Sequence, residues 1–165
     1  MRTAIVFMSK HGTTAKVVNI ISEHLIFHEY EVFNLRNSKT PDISKFDFVI
    51  IGGSIHVGKV QNKVKQFCIN NADTLLTKKV GLFLCCMEVG EKATEQFNNA
   101  FPVELRNHAF YTGLMGGECL IDKMNFFERN LVRMVIGGPE KYPKLNDKAI
   151  NTLLQELDVI LPNLN

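Results

Sequence analysis

Six consecutive residues hold the densest set of groups able to bind a charged ligand. Ser9-Lys10-His11-Gly12-Thr13-Thr14 carries three hydroxyls, one Lys and one Gly, and no carboxylate. It follows an apolar, β-branched run and precedes a helical pattern. A helix N-terminus offers unpaired N–H groups and a partial positive charge, which attract phosphate. Ser9, Thr13 and Thr14 add hydroxyl donors, and Gly12 lets the backbone approach closely. The loop therefore suits a phosphate monoester dianion. The plainer alternative is a strand-to-helix turn capped by Thr. Two other phosphate sites are excluded, because neither G-x-x-x-x-G-K-[ST] nor G-x-G-x-x-G follows the first strand. A phospho-accepting receiver domain needs acidic residues where this chain has Met8-Ser9-Lys10.

The elements that position this loop are legible from periodicity. Arg2 to Met8 reads as a buried strand, and from Ala15 the residues Val17, Ile20, Ile21 and Leu25 recur at helical steps. Glu31 to Leu35 alternates as a second strand, and Thr40-Pro41-Asp42 marks a turn. Phe46 to Ile51 is a third strand, ended by Gly52-Gly53. Val60 to Leu76 reads as one helix, with Val64, Phe67, Cys68 and Leu75 on one side. Val80 to Met87 is almost wholly apolar, as a central parallel strand should be. Glu91 to Ala100 reads as a helix stopped near Pro102, and Ala109 to Leu114 as a fifth strand. Met124 to Ile136 and Asp147 to Ile160 read as two further helices. Strands alternating with helices give a doubly wound α/β domain with a parallel sheet. Its ligand belongs beyond the carboxyl ends of the strands, at the switch point.

The 165 residues are 45% hydrophobic and 22% charged, an ordinary globular balance for one domain. No apolar run approaches the roughly 20 residues of a membrane-spanning helix. The chain enters its first strand directly from Met1 without a signal-peptide pattern, which places it in the cytoplasm. Cys68, Cys85, Cys86 and Cys119 show no C-x-x-C spacing and read as reduced thiols acting as small apolar residues. No His-Cys-carboxylate cluster has metal-ligand spacing. The net charge of +2 is too small and too scattered to indicate nucleic acid.

Ile5-Val6-Phe7-Met8-Ser9-Lys10-His11-Gly12-Thr13-Thr14 resembles the flavodoxin signature, in which aliphatic and aromatic residues precede a Ser/Thr, then Gly, then Thr. It departs from that pattern at Val18, where the family usually has Ala. The resemblance implies a five-stranded parallel sheet of order 2-1-3-4-5. It also implies FMN as cofactor, with its phosphate held by Ser9 to Thr14.

A flavin ring must also be bracketed by the loops after the third and fourth strands. In the first of these, Gly53 lets the backbone approach a flat ring, Ser54 can donate to ribityl or ring atoms, and Ile55 or His56 can cover a face. In the second, Cys86-Met87-Glu88-Val89-Gly90 lacks the aromatic residue that often stacks on the ring in electron-carrier flavodoxins. That leaves the face open, or covered by Met87 or a substrate. Glu88 reads as a solvated charge or helix cap, since a carboxylate beside a flavin disfavours its anionic reduced form.

Electron-carrier flavodoxins are typically acidic, whereas this chain is slightly basic, so steering toward basic partners is weak or reversed. Asp47-Phe48-Val49-Ile50-Ile51-Gly52-Gly53-Ser54-Ile55-His56, with Gly58, resembles the menaquinone-dependent protoporphyrinogen dehydrogenase group. Tyr111-Thr112-Gly113-Leu114 and the later Gly137-Gly138 do so too. That resemblance implies flavin-dependent oxidation of protoporphyrinogen IX with a quinone acceptor, and His56 as the polar candidate beside the ring. It also points to peripheral membrane contact through the basic amphipathic stretch Asp122 to Ile136. The alternatives are an electron carrier serving a redox protein, and a flavin-free regulatory domain.

Overall fold

In a computed structural model, the described residues are 1–118, 126–127, 129–130, 134 and 143–161. They form β1 (Arg2–Phe7), α1 (Thr13–His24), β2 (Glu29–Asn34), β3 (Phe48–His56), β4 (Lys59–Val60), α2 (Asn62–Asn70) and α3 (Ala72–Leu75). β5 (Lys79–Cys85), α4 (Gly90–Ala100), α5 (Val103–His108), β6 (Tyr111–Leu114) and α6 (Asp147–Ile160) follow. The sheet order is β2-β1-β3-β5-β6, all parallel, with β4 paired antiparallel to β3. The expected order of five parallel strands is therefore present, with one short strand added.

Alternation along the strands explains the two covered faces. Ala4, Val6, Val49, Ile51, Leu82 and Leu84 point to one side and pack with Val64 and Phe67 of α2, Phe97 of α4 and Leu105 of α5. Ile5, Phe7, Ile50, Phe83 and Cys85 point to the other and pack with Val17 and Ile21 of α1 and Leu153 and Leu157 of α6. Both central strands are apolar on both faces because both faces are buried.

Three readings are corrected. β3 does not end at Gly52-Gly53 but runs through them to His56, still paired with β5 at Ser54↔Cys85. The two glycines serve packing: a Cβ on Gly52 would lie 2.0 Å from the Phe83 ring, and one on Gly53 would lie 2.8 Å from Val60. Second, Val60 belongs to β4, and the helix read over Val60 to Leu76 is two pieces broken at Asn71. The residues between β3 and β4 are Val57 (φ 50) and Gly58 (φ 75), so a tight hairpin with two left-handed residues stands where a loop was expected. Third, Pro102 does not only stop α4; it precedes α5, a further short helix. The stretch Asp122 to Ile136 lies largely outside the described residues, of which Phe126, Phe127, Arg129, Asn130 and Met134 are helical.

Candidate functional site

The carboxyl ends of β1, β3 and β5 bring three predicted segments to one end of the sheet. In the first, Ser9 is buried and its Oγ accepts the Gly12 N–H at 3.0 Å, which closes the loop on itself. Gly12 has φ 110, a left-handed conformation that only glycine adopts readily, and α1 begins immediately after it. The first turn of α1 carries no acidic residue of its own, and its N-cap, Gly12, has no side chain to cap it. The N–H groups of that first turn are those a helix leaves without intrahelical partners. Thr13 and Thr14 are buried, and among the described residues the Thr14 hydroxyl has no nitrogen or oxygen partner, only the Cys85 thiol beside it. That hydroxyl lies beside the Cys85 thiol and partly offsets the burial that pushes Cys85 up to about 12.

The loop and the β3–β4 hairpin touch directly. Lys10 Nζ lies 2.9 Å from His56 Nε2, and the His11 and His56 rings are 5.8 Å apart. With the ammonium donating, Nε2 of His56 accepts, so its ring proton sits on Nδ1. Arg36, just beyond β2, donates to the Lys10 carbonyl at 3.1 Å. Ser54 is held by Gln61, whose Oε1 accepts the Ser54 N–H at 2.9 Å and whose amide donates to the Ser54 hydroxyl. That hydroxyl keeps its own proton to donate. Ile55 pairs with Val60, and His56 with Lys59, so both are strand residues rather than loop residues.

The segment after β5 is arranged differently from expectation in one respect. Glu88 does not cap α4; its carboxylate pairs with Lys92 one turn later, at 2.6 Å. Cys86 is buried and its thiol turns back to the Glu88 carbonyl, with burial pushing its pKa up. Met87 and Val89 stand exposed at 51% and 84%. Gly90 opens α4 with φ 62 and has open space where a side chain would be.

Four contributors to this end were not anticipated: Gln61, Arg36, Lys16 and Glu118. Lys16 Nζ pairs with Glu118 Oε1 at 2.8 Å, and the Thr13 hydroxyl donates to the Glu118 carbonyl at 3.3 Å. Glu118 thereby closes over the first turn of α1 from 102 residues away. No local pattern announces such a contact. Gln61 had a faint signal, since it stands just after a Gly58-Lys59-Val60 ribbon that returns it toward Ser54. Among the described residues no group of His, Cys, Asp and Glu could hold a metal ion.

A parallel doubly wound domain with an anion-receptive first loop at its switch point is the class this arrangement defines. The family model described as flavodoxin domain matches residues 4–146, and the chain belongs to that family. The Fusobacterium nucleatum flavodoxin bound to flavin mononucleotide is 14% identical over 98% of this chain and 99% of that one, with TM-score 0.56. Oxidised Flavodoxin 1 from Bacillus cereus is 15% identical over 98% and 100%, with TM-score 0.54. The rubredoxin oxygen:oxidoreductase of Desulfovibrio gigas is 13% identical over 96% of this chain but only 36% of that one, with TM-score 0.58. At these identities the likeness is one of fold. Comparison with curated protein sequences gives no match.

Proposed function

We propose that this protein is an FMN-binding electron-transfer flavoprotein that serves a partner redox protein. The observation that carries it is the first turn of α1: no acidic residue of its own, a left-handed Gly12 at its start and a buried Thr14 hydroxyl with only a thiol beside it. These groups fit a phosphate dianion. Ser9, Lys10, His11, Gly12, Thr13 and Thr14 would hold that phosphate through backbone N–H groups, hydroxyls and positive charge. Gly53, Ser54, Ile55 and His56 would flank the ring on one side, and Cys86, Met87, Glu88 and Gly90 on the other. The flavodoxin of Fusobacterium nucleatum, whose fold this chain shares, binds flavin mononucleotide. FMN supplies the redox chemistry, and the chain supplies position and electrostatics.

Titrating flavin-free protein with FMN, followed by flavin fluorescence, should give one site per chain. Riboflavin lacks the phosphate and should bind at least about 100-fold more weakly, as the loss of two charge-assisted hydrogen bonds would require. Equal affinity for the two flavins would overturn the assignment of Ser9 to Thr14.

A narrower reading is oxidation of protoporphyrinogen IX with a quinone as acceptor. It draws on the likeness of Asp47 to Gly58 and on the exposed Met87 and Val89, which leave an apolar edge where an aromatic stacking residue is missing. Membrane contact through Asp122 to Ile136 would accompany it. FMN-loaded protein given protoporphyrinogen IX and menaquinone under anaerobic conditions should then form protoporphyrin IX; no quinone reduction would eliminate it. No helix among the described residues is long and apolar enough to cross a membrane. We place the protein in the cytoplasm, in keeping with the buried free thiols of Cys68, Cys85 and Cys86.

A further inference from the structure

Ser54 stands where β3 leaves β5 and turns to β4: it pairs with Cys85, and the next residue, Ile55, pairs with Val60. At that step its backbone N–H is taken by a side chain. Gln61 Oε1 accepts it at 2.9 Å, and the Gln61 amide donates to the Ser54 hydroxyl. Gly53 leaves room for this approach, since a Cβ there would lie 3.4 Å from Gln61 Oε1.

Gln61 occupies the N-cap of α2, yet its side chain makes no capping bond. Ser, Thr, Asn and Asp cap helices best, so the helix start is given over to a longer side chain that serves another element. The Gln61 carbonyl still accepts the Val64 N–H at 3.0 Å, which holds the residue in place on the helix.

This two-point contact settles the direction of one proton. A backbone N–H can only donate, so the Gln61 atom facing it is the oxygen. The amide nitrogen, also a donor only, then faces the Ser54 hydroxyl oxygen. The hydroxyl is the acceptor in that bond, and its own proton points elsewhere. Among the described residues the Ser54 hydroxyl makes no other hydrogen bond. A serine left unclamped could turn to meet a donor or an acceptor alike, but this one can meet only an acceptor.

We propose that Gln61 is a positioning residue that commits the Ser54 hydroxyl to donating, so that this edge of the site takes its ligand through an acceptor atom. The proposal rests on the FMN reading above, in which that acceptor belongs to the flavin ring or ribityl chain and not to the phosphate.

The test titrates flavin-free wild-type protein and its variants with FMN and with uncharged riboflavin, followed by flavin fluorescence. Ser54→Ala should weaken both flavins by the same factor, about fivefold, the loss of one neutral hydrogen bond. Gln61→Glu keeps an acceptor for the Ser54 N–H, but its carboxylate also accepts the hydroxyl proton and turns it away from the ligand. Riboflavin binding should therefore fall as far as in Ser54→Ala, and adding Ser54→Ala to Gln61→Glu should cost nothing more. Once protonated, the new carboxyl can donate to the hydroxyl oxygen as the amide does. Relative to wild type at each pH, the riboflavin affinity of Gln61→Glu should climb back as pH falls from about 7.5 to about 4.3. A purely structural role for Gln61 would give no such recovery, and circular dichroism checks that each variant is folded. Wild-type affinity in Gln61→Glu at the higher pH, additive losses in the double variant, or a ratio that stays flat with pH would overturn the proposal. Wild-type protein that takes up neither flavin would instead overturn the FMN reading, and this assignment with it.

Discussion

Thr14 poses the sharpest question for a single side chain. A buried hydroxyl with only a thiol for a neighbour is weakly satisfied, at a cost of up to about 1–3 kcal/mol that a ligand oxygen would remove. Thr14→Val keeps the shape and deletes the hydroxyl. In flavin-free protein it should be neutral or stabilising by up to about 1 kcal/mol in urea unfolding. FMN affinity should fall about tenfold, the loss of one good hydrogen bond to a charged group. A variant that loses stability and keeps its affinity would assign the hydroxyl to packing. The neighbouring Cys85 fits the same picture: buried, with its thiol held protonated well above the ordinary range, it is a core residue rather than a redox group.

The β3–β4 hairpin carries most of what is specific to this chain at the level of elements. Val57 is β-branched, yet it holds φ 50, a conformation that costs an L-residue about 1–2 kcal/mol. Val57→Gly should raise the urea midpoint, by an amount equivalent to roughly 1 kcal/mol, provided the ribbon stays paired. Gly52→Ala should do the reverse and cost at least about 1–3 kcal/mol, because its Cβ would meet the Phe83 ring and both lie in packed core. Periodicity located every strand of the parallel sheet and the α1 and α6 helices, because apolar spacing follows burial directly. It placed the end of β3 too early. Glycine is a breaker by local preference, but Phe83 and Val60 fill the space of the missing side chains and keep the strand going. The Ser9 to Thr14 loop was legible for the same local reason, being a compact motif. Arg36, Gln61 and Glu118 were not, since their roles exist only once distant segments meet.

For the molecule as a whole, protonation sets an alkaline limit. Burial pushes Cys68, Cys85 and Tyr111 up to about 12 in the folded chain. Each therefore keeps its proton when folded at pH values where the unfolded chain has begun to release it. Stability from these groups is fully present below the ordinary thiol value near 9 and is lost as pH rises toward 12. Urea midpoints should be level from pH 7 to 8 and fall progressively above 9. Cys68→Ala should start lower at pH 7 and lose less between pH 9 and 11; an identical slope would mean that this thiol titrates alike in both states.

Glu118 ties down the first turn of α1 from a distant segment. With its carboxylate on Lys16 and its carbonyl on the Thr13 hydroxyl, it already occupies one of the hydroxyls that would greet a phosphate. Loading would then exchange the Glu118 carbonyl for a phosphate oxygen at the Thr13 hydroxyl, at a pace set by how often Glu118 lets go. In stopped-flow mixing the observed rate should level off as FMN is raised, and Glu118→Gln should lift that ceiling. The same latch would slow the loss of bound flavin only if it closed again behind the phosphate, so entry and exit of the cofactor need not share a gate.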